Sequence, residues 1–160
     1  MIKTPLIVFI VLAATAHALW LPSNHDRQIP IIHTMATTTL CGTDDDIFTV
    51  ESIILTPDPP VKGQSLVIEA RGYLKEDVVA GSVADVKVKL GLIKLFEQRL
   101  DLCEEIKRID VECPILKGYQ VIERTIDLPN ELPAGKYNLH LNATNADDLP
   151  ITCVNAEFRF

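Results

Sequence analysis

The side chains able to do chemistry are few, and their spacing serves little of it. The chain holds four histidines, His17, His25, His33 and His140. Only His140 lies in the periodic part of the sequence. A general base must sit within reach of its proton and be oriented by a partner. His140 instead alternates with apolar neighbours on the polar side of a strand-like run, the position of a solvated histidine. His25 and His33 have no third ligand placed nearby, which a metal site would require. No G-x-S-x-G elbow, H-E-x-x-H helix or P-loop occurs. The densest carboxylate run, Asp44-Asp45-Asp46, lacks the spaced ligands and closing glutamate of a calcium loop and reads as a solvated acidic turn. The sequence thus offers no catalytic residue, no metal site and no cofactor motif, and it reads as that of a non-enzyme.

Cys41, Cys103, Cys113 and Cys153 are the remaining reactive groups. A zinc site fails on spacing, because there is no C-x-x-C pair and no histidine close in sequence to a cysteine. An even cysteine count in a secreted chain reads as two disulfides, and three connectivities are open. Secretion is read from residues 1–18. Met1-Ile2-Lys3 gives a basic start, Pro5 to Ala14 an uncharged apolar run, and Ala16-His17-Ala18 a small-x-small cleavage pattern. This is a signal peptide, too short for a membrane span. Residues 19–40 follow no period of 2 or 3.6, and 19–37 read as a pro-segment or flexible arm. The sequon Asn142-Ala143-Thr144 makes Asn142 a candidate glycosylation site.

The elements that would position these groups are strands. Composition is ordinary for a globular protein, with 48% apolar and 23% charged residues in 160. Leu66, Ile68, Ala70, Gly72 and Leu74 share one face of a run whose other face holds Val67, Glu69, Arg71 and Tyr73. Phe48, Val50, Ile54 and Leu55 stand in an earlier run. Val86, Val88, Leu90 and Leu92 alternate with polar residues, and the apolar phase then slips to Ile93 and Leu95, which predicts a bulge or bend near Gly91. Gln120, Ile122, Arg124 and Ile126 form a mixed strand. Tyr137, Leu139, Leu141 and Ala143 follow, with Asn142 on the polar face, and Val154, Ala156, Phe158 and Phe160 close the chain. Glu104 to Asp110 has room for a single helical turn. The pattern predicts an all-β, two-sheet antiparallel sandwich.

The net charge is −7, from 15 Lys and Arg against 22 Asp and Glu, and it becomes −8 when Lys3 leaves with the signal peptide. This excludes a nucleic-acid binder, which needs clustered cations. It also opposes approach to anionic membranes. Mean hydropathy is +0.19, part of it from the leader.

A set of short segments in fixed order adds to this reading. They are Leu40-Cys41-Gly42, Pro59-Pro60-Val61-Lys62-Gly63-Gln64-Ser65-Leu66, Asp101-Leu102-Cys103, Cys113-Pro114-Ile115, Pro133-Ala134-Gly135-Lys136-Tyr137 and Ile151-Thr152-Cys153. From about residue 38 to 160 this set resembles the ML lipid-recognition domain family. It is most similar to the fungal branch of phosphatidylglycerol/phosphatidylinositol carriers, related to the lysosomal sterol carrier of Niemann–Pick type C disease. The animal sterol carriers have six cysteines. This chain carries Pro57-Asp58-Pro59-Pro60 where their small disulfide loop stands.

The resemblance implies an immunoglobulin-like sandwich with a lipid cavity between its sheets and the pairing Cys41–Cys153 and Cys103–Cys113. The cavity wall expected on this basis is Val50, Ile68, Ala70, Val88, Leu90, Phe96, Ile122, Tyr137, Leu139, Leu141, Val154 and Phe158. The implied function is intermembrane transfer of a phospholipid or sterol by a monomer. Its partners would be the lipid, a transient membrane contact and a membrane sterol transporter. The expected location is the secretory pathway, either the vacuole or lysosome lumen or the extracellular space. A lipid sensor presenting its ligand to a receptor, and a sandwich serving only extracellular contacts, are the alternatives.

Overall fold

The computed structural model describes residues 36–160. The expected signal peptide, and the pro-segment up to residue 35, lie outside the described residues. The elements are β1 (Thr37–Leu40), β2 (Phe48–Thr56), β3 (Ser65–Leu74), β4 (Val83–Leu90), β5 (Ile93–Asp101), α1 (Leu102–Lys107), β6 (Gly118–Asp127), β7 (Lys136–Thr144) and β8 (Pro150–Arg159). They form a five-stranded sheet, β1-β8-β7-β4-β5, and a three-stranded sheet, β2-β3-β6. Every pairing is antiparallel. The alternating sandwich predicted from the sequence is the fold observed.

Four local expectations change. Thr37–Leu40, part of the stretch without a period, form β1 against β8, with Leu40 opposite Val154. Four residues are too few to display a period, and the backbone ladder places them. The phase slip near Gly91 is a chain reversal: Leu90 pairs with Ile93 across a two-residue turn, with Gly91 at φ 57. A positive φ is open to glycine without a Cβ clash. The bulge itself falls at Leu95, between the pairs Val88↔Phe96 and Lys89↔Lys94. The helix begins earlier than expected, at Leu102, because Asp101 accepts a hydrogen bond from the Glu104 amide at 3.1 Å and caps it. In the acidic run, Asp44 and Asp45 are exposed, but Asp46 is buried. Its Oδ1 accepts from the Thr43 amide at 3.0 Å and the Thr43 hydroxyl at 3.2 Å, which replace the water that burial removes.

The sheets pack tightly at one end, through Ile47, Phe48, Leu74, Val78, Ala84, Ala143 and Ile151. Gly72 is required there. A Cβ on it would lie 2.3 Å from the Thr49 carbonyl oxygen and 2.9 Å from the Phe48 ring. At the other end Tyr137 stacks on Phe158 at 5.6 Å, and Phe160 meets both rings edge-on at 5.2 and 5.4 Å. The Tyr137 hydroxyl donates to the Pro133 carbonyl at 2.9 Å. The disulfides are Cys41–Cys153 and Cys103–Cys113, the pairing that the resemblance implied.

The outer face of β4 and β5 carries a ladder of ion pairs. Glu97 accepts from Lys87 at 2.6 Å and Lys94 at 2.5 Å, and Arg99 forks onto Asp85 through two 2.8 Å bonds. Hydrogen bonds from Lys87 and then Lys94 hold the Glu97 carboxyl at about 2. The Arg99 bond likewise lowers that of Asp85.

Two outcomes follow from this architecture. Cys41–Cys153 spans a sequence separation of 112 and Cys103–Cys113 one of 10. Chain entropy gives these loops about 4.8 and about 2.7 kcal/mol. Replacing the first pair by serine is therefore expected to lower urea-unfolding stability about 2 kcal/mol more than replacing the second. Equal losses would contradict the loop argument. Carboxyls held low in the folded chain contribute fully above their unfolded pKa and lose that contribution as pH falls. Thermal stability from these pairs should be flat from about pH 7 to 5 and decline below about pH 4. Glu97→Gln should shrink that acid decline; superimposable acid limbs would exclude Glu97 from it.

Candidate functional site

The inward faces of the strands follow from the register. On β3, Leu66, Ile68, Ala70, Gly72 and Leu74 face the opposite sheet. Their partners Val50, Ile53 and Leu55 on β2 share this face, as do Gln120, Ile122, Arg124 and Ile126 on β6. In the larger sheet the inward set is Val86, Val88 and Leu90 on β4, Phe96, Gln98 and Leu100 on β5, Leu139 and Leu141 on β7, and Val154, Ala156 and Phe158 on β8.

All the residues expected to line a cavity lie on these inward faces. Most are not sealed. Val50, Ile68, Ala70, Val88, Leu90, Ile122, Leu139, Leu141, Val154 and Phe158 are only partly buried, although each faces the other sheet. Side chains of two sheets packed about 10 Å apart would exclude water from such positions. The partial exposure of these apolar positions marks a cleft between the sheets, flanked at its two ends by the Phe48–Leu74 core and by the Tyr137 aromatic group. Tyr137, at 2% exposure, belongs to the aromatic seal at one end of it.

The cleft opens on one flank. On the β1–β2 flank, the Cys41 amide donates to the Cys153 carbonyl at 2.9 Å, Ile47 to Pro150 at 3.0 Å, and the Ala36 amide to Asp58 at 2.8 Å. The opposite flank lies between β5 and β6, the edge strands of their sheets. There Phe96 and Ile126 face inward yet are 43% and 38% exposed. They form an apolar lip. Beyond Phe96 the β4–β5 turn carries Leu92, 99% exposed, and Ile93, 65% exposed. α1 covers the far part of this flank, with Cys103 and Ile106 buried.

The expected wall left out Val86, Arg124 and Ile126, which share the faces of Val88 and Ile122, and sequence reasoning missed Ile53. A bulge between Val50 and Ser52 shifts the phase of β2, so Ile53 faces inward and Ile54 outward, 45% exposed. No residue type marks that bulge in the sequence. Arg124 and Ile126 were visible as one face of a mixed strand, but the arginine obscured which face was the core side.

The polar candidates lie elsewhere. His140 is on the outer face of β7, its Nδ1 2.8 Å from Asn155 Oδ1. Its ring approaches Cys41 and Cys153 within 4.8 Å, but both sulfurs are in the disulfide and offer no thiolate. Asn142 is also on the outer face, between Asp85 and Cys153. A depression of about 440 Å³ on this face is lined by Lys87, Lys89, His140, Asn155 and Glu157 among others. It lies on the outer face of the larger sheet, away from the space between the sheets.

The ML domain family profile matches residues 36–160. The chain is 43% identical over 122 residues to a Mycosarcoma maydis protein and 46% identical over 116 residues to one of Neurospora crassa. Both are named phosphatidylglycerol/phosphatidylinositol transfer protein. The alignments cover 75% and 72% of this chain but 63% and 66% of those relatives, so less than two thirds of their length is represented here. In fold the chain is similar to a Niemann–Pick type C2 protein from Japanese carpenter ant, with TM-score 0.60, 19% identity, and coverage of 77% of this chain and 98% of that one. It is also similar to chicken MD-1 complexed with lipid IVa, with TM-score 0.57, 18% identity, and coverage of 78% and 89%.

Ala70 faces the cleft between Ile53 and Ile122. Ala70→Phe should fill that space while circular dichroism and the unfolding midpoint stay near those of the parent chain. A midpoint lowered by several degrees would show that this position is already packed and leaves no open space.

Proposed function

The chain belongs to the ML domain family, and from that premise we propose that it carries one phospholipid at a time between membranes, with the acyl chains held between its two sheets. The carrying observation is that apolar residues on the inward faces stay partly exposed, most of all Phe96 and Ile126 on the edge strands β5 and β6. Relatives at 43% and 46% identity, named as phospholipid transfer proteins, support the same reading.

Sheltering apolar surface from water contributes about 25 cal/mol per Å², or about 0.8 kcal/mol per methylene. A bilayer shelters the same groups to a similar extent, so uptake and release are nearly balanced and the direction of transfer follows lipid supply. No nucleophile or acid/base pair takes part. The mouth-side end of the protein docks on the bilayer. Leu92 and Ile93 lead, and Lys89 and Lys94 flank them. The acidic groups Asp44-Asp45, Glu76-Asp77 and Asp147-Asp148 lie in the connections at the opposite end of the sandwich. The overall charge that opposes anionic membranes is thus directed away from the docking tip. A glycan on Asn142, on the outer face, would leave the mouth clear. Two disulfides and the expected leader support a place in the secretory pathway.

A fluorescent-lipid assay between donor and acceptor vesicles tests this function. Transfer should exceed the spontaneous rate in proportion to protein concentration. Leu92→Glu should slow it by about tenfold while equilibrium loading is unchanged, because it removes apolar surface from the docking tip and adds charge there. Loading without transfer in the parent chain would favour a lipid sensor over a carrier.

A further inference from the structure

The inward strand faces of the described residues are apolar or uncharged, with one exception. Arg124 stands on β6 directly opposite Ile68, between Ile122 and Ile126 on the same face. It stands on the edge strand beside Ile126, two residues along the lip. Its Nη1 donates to Glu105 Oε2 on α1 at 2.8 Å. Its side chain is 41% exposed and that of Glu105 12%. Glu105 has a second partner, Arg108, at 3.2 Å.

A cation in an apolar cleft needs a reason. A purely structural latch between β6 and α1 would need only the Glu105 contact. Arginine presents five N–H donors in a planar fork, and Glu105 engages Nη1 alone. A phosphodiester offers two free oxygens and one negative charge, the geometry that such a fork meets with paired bonds. A lipid whose chains lie between the sheets, with its head at the β5–β6 mouth, places its phosphate at the depth of the lip. That is where Arg124 stands. Glu105 can release Arg124 and keep Arg108, so the exchange leaves no buried carboxylate unpaired.

We propose that Arg124 binds the phosphate of the carried phospholipid at the mouth, and that Glu105 holds its guanidinium in place when no lipid is bound. This rests on the carrier reading above and adds a headgroup subsite to it. Any phosphodiester lipid would satisfy the site; a diacylglycerol with the same chains would not. Glu105 acts through Arg124, so it is a positioning residue that competes with the phosphate.

The test measures equilibrium loading of the full chain from vesicles with phosphatidylglycerol and, separately, with diacylglycerol of identical acyl chains. Arg124→Gln is expected to lower phosphatidylglycerol loading roughly 10- to 100-fold, the range of a charged hydrogen-bonded contact, and to leave diacylglycerol loading unchanged. Glu105→Gln is expected to raise phosphatidylglycerol loading and leave diacylglycerol unchanged. Equal losses of both lipids in either variant would make the pair a structural latch and overturn the proposal. Unchanged loading of both lipids in Arg124→Gln would also overturn it while leaving the carrier reading intact. If the parent chain loads neither lipid, the carrier reading fails and the subsite with it. Inorganic phosphate at millimolar concentration should not displace bound phosphatidylglycerol; Arg124-dependent displacement would assign the site to free phosphate instead.

Discussion

The apolar face of a strand must leave water, and in a two-sheet protein it can do so only against the other sheet. Here burial is most complete towards the ends. Phe48, Leu74 and Val78 fill one end, and the Tyr137–Phe158–Phe160 rings fill the other. Between them the inward positions, from Val50, Ile68 and Ala70 on one sheet to Val88, Leu139 and Val154 on the other, are only partly buried. Even large side chains there, such as Ile122, Leu139 and Leu141, do not exclude water from one another as the residues at the ends do.

The flanks decide which way such a cleft opens. β1 is a four-residue strand, yet it carries the chain to Cys41, whose disulfide and amide bond fasten it to Cys153. That seam closes one flank. The other is bordered by β5 and β6, and α1 covers only part of it. An exposed edge strand invites pairing with other chains. On β5 this is countered by the Leu95 bulge and by the charged outer ladder of Lys94, Glu97 and Arg99. These features keep the edge strand free without closing the space behind it.

Much of this was legible in the sequence because a period of two survives even when one face is not fully buried. The expected wall residues all fall on inward faces, and cysteine placement within the family pattern gave the disulfides. What was not legible had local causes. A bulge in β2 moves Ile53 inward and Ile54 outward, and backbone geometry sets it. A two-residue turn at Gly91 and a bend share one signature in hydrophobic phase. Asp46 resembles its exposed neighbours in type and differs only in its bonds to Thr43. The openness of the cleft is a property of volume in three dimensions, which alternation does not encode.

Arg124 shows why a departure from pattern carries information. By period alone it interrupts the core face of β6, and composition would assign it to a solvated surface. Register places it opposite Ile68, facing the other sheet. A guanidinium tolerates that position because it remains hydrated at the open flank and has a carboxylate partner. The same two conditions, access to the mouth and a partner that is itself doubly paired, are what an exchangeable anion site requires. A lysine would meet the charge condition but not the paired geometry of the fork. A residue deeper in the cleft would meet neither, since its charge would be stripped of water without recompense. The chain's net charge, negative overall, does not bear on this, because its carboxylate excess lies in the connections at the far end. What distinguishes the open flank locally is one cation on an inward face that is otherwise apolar or uncharged.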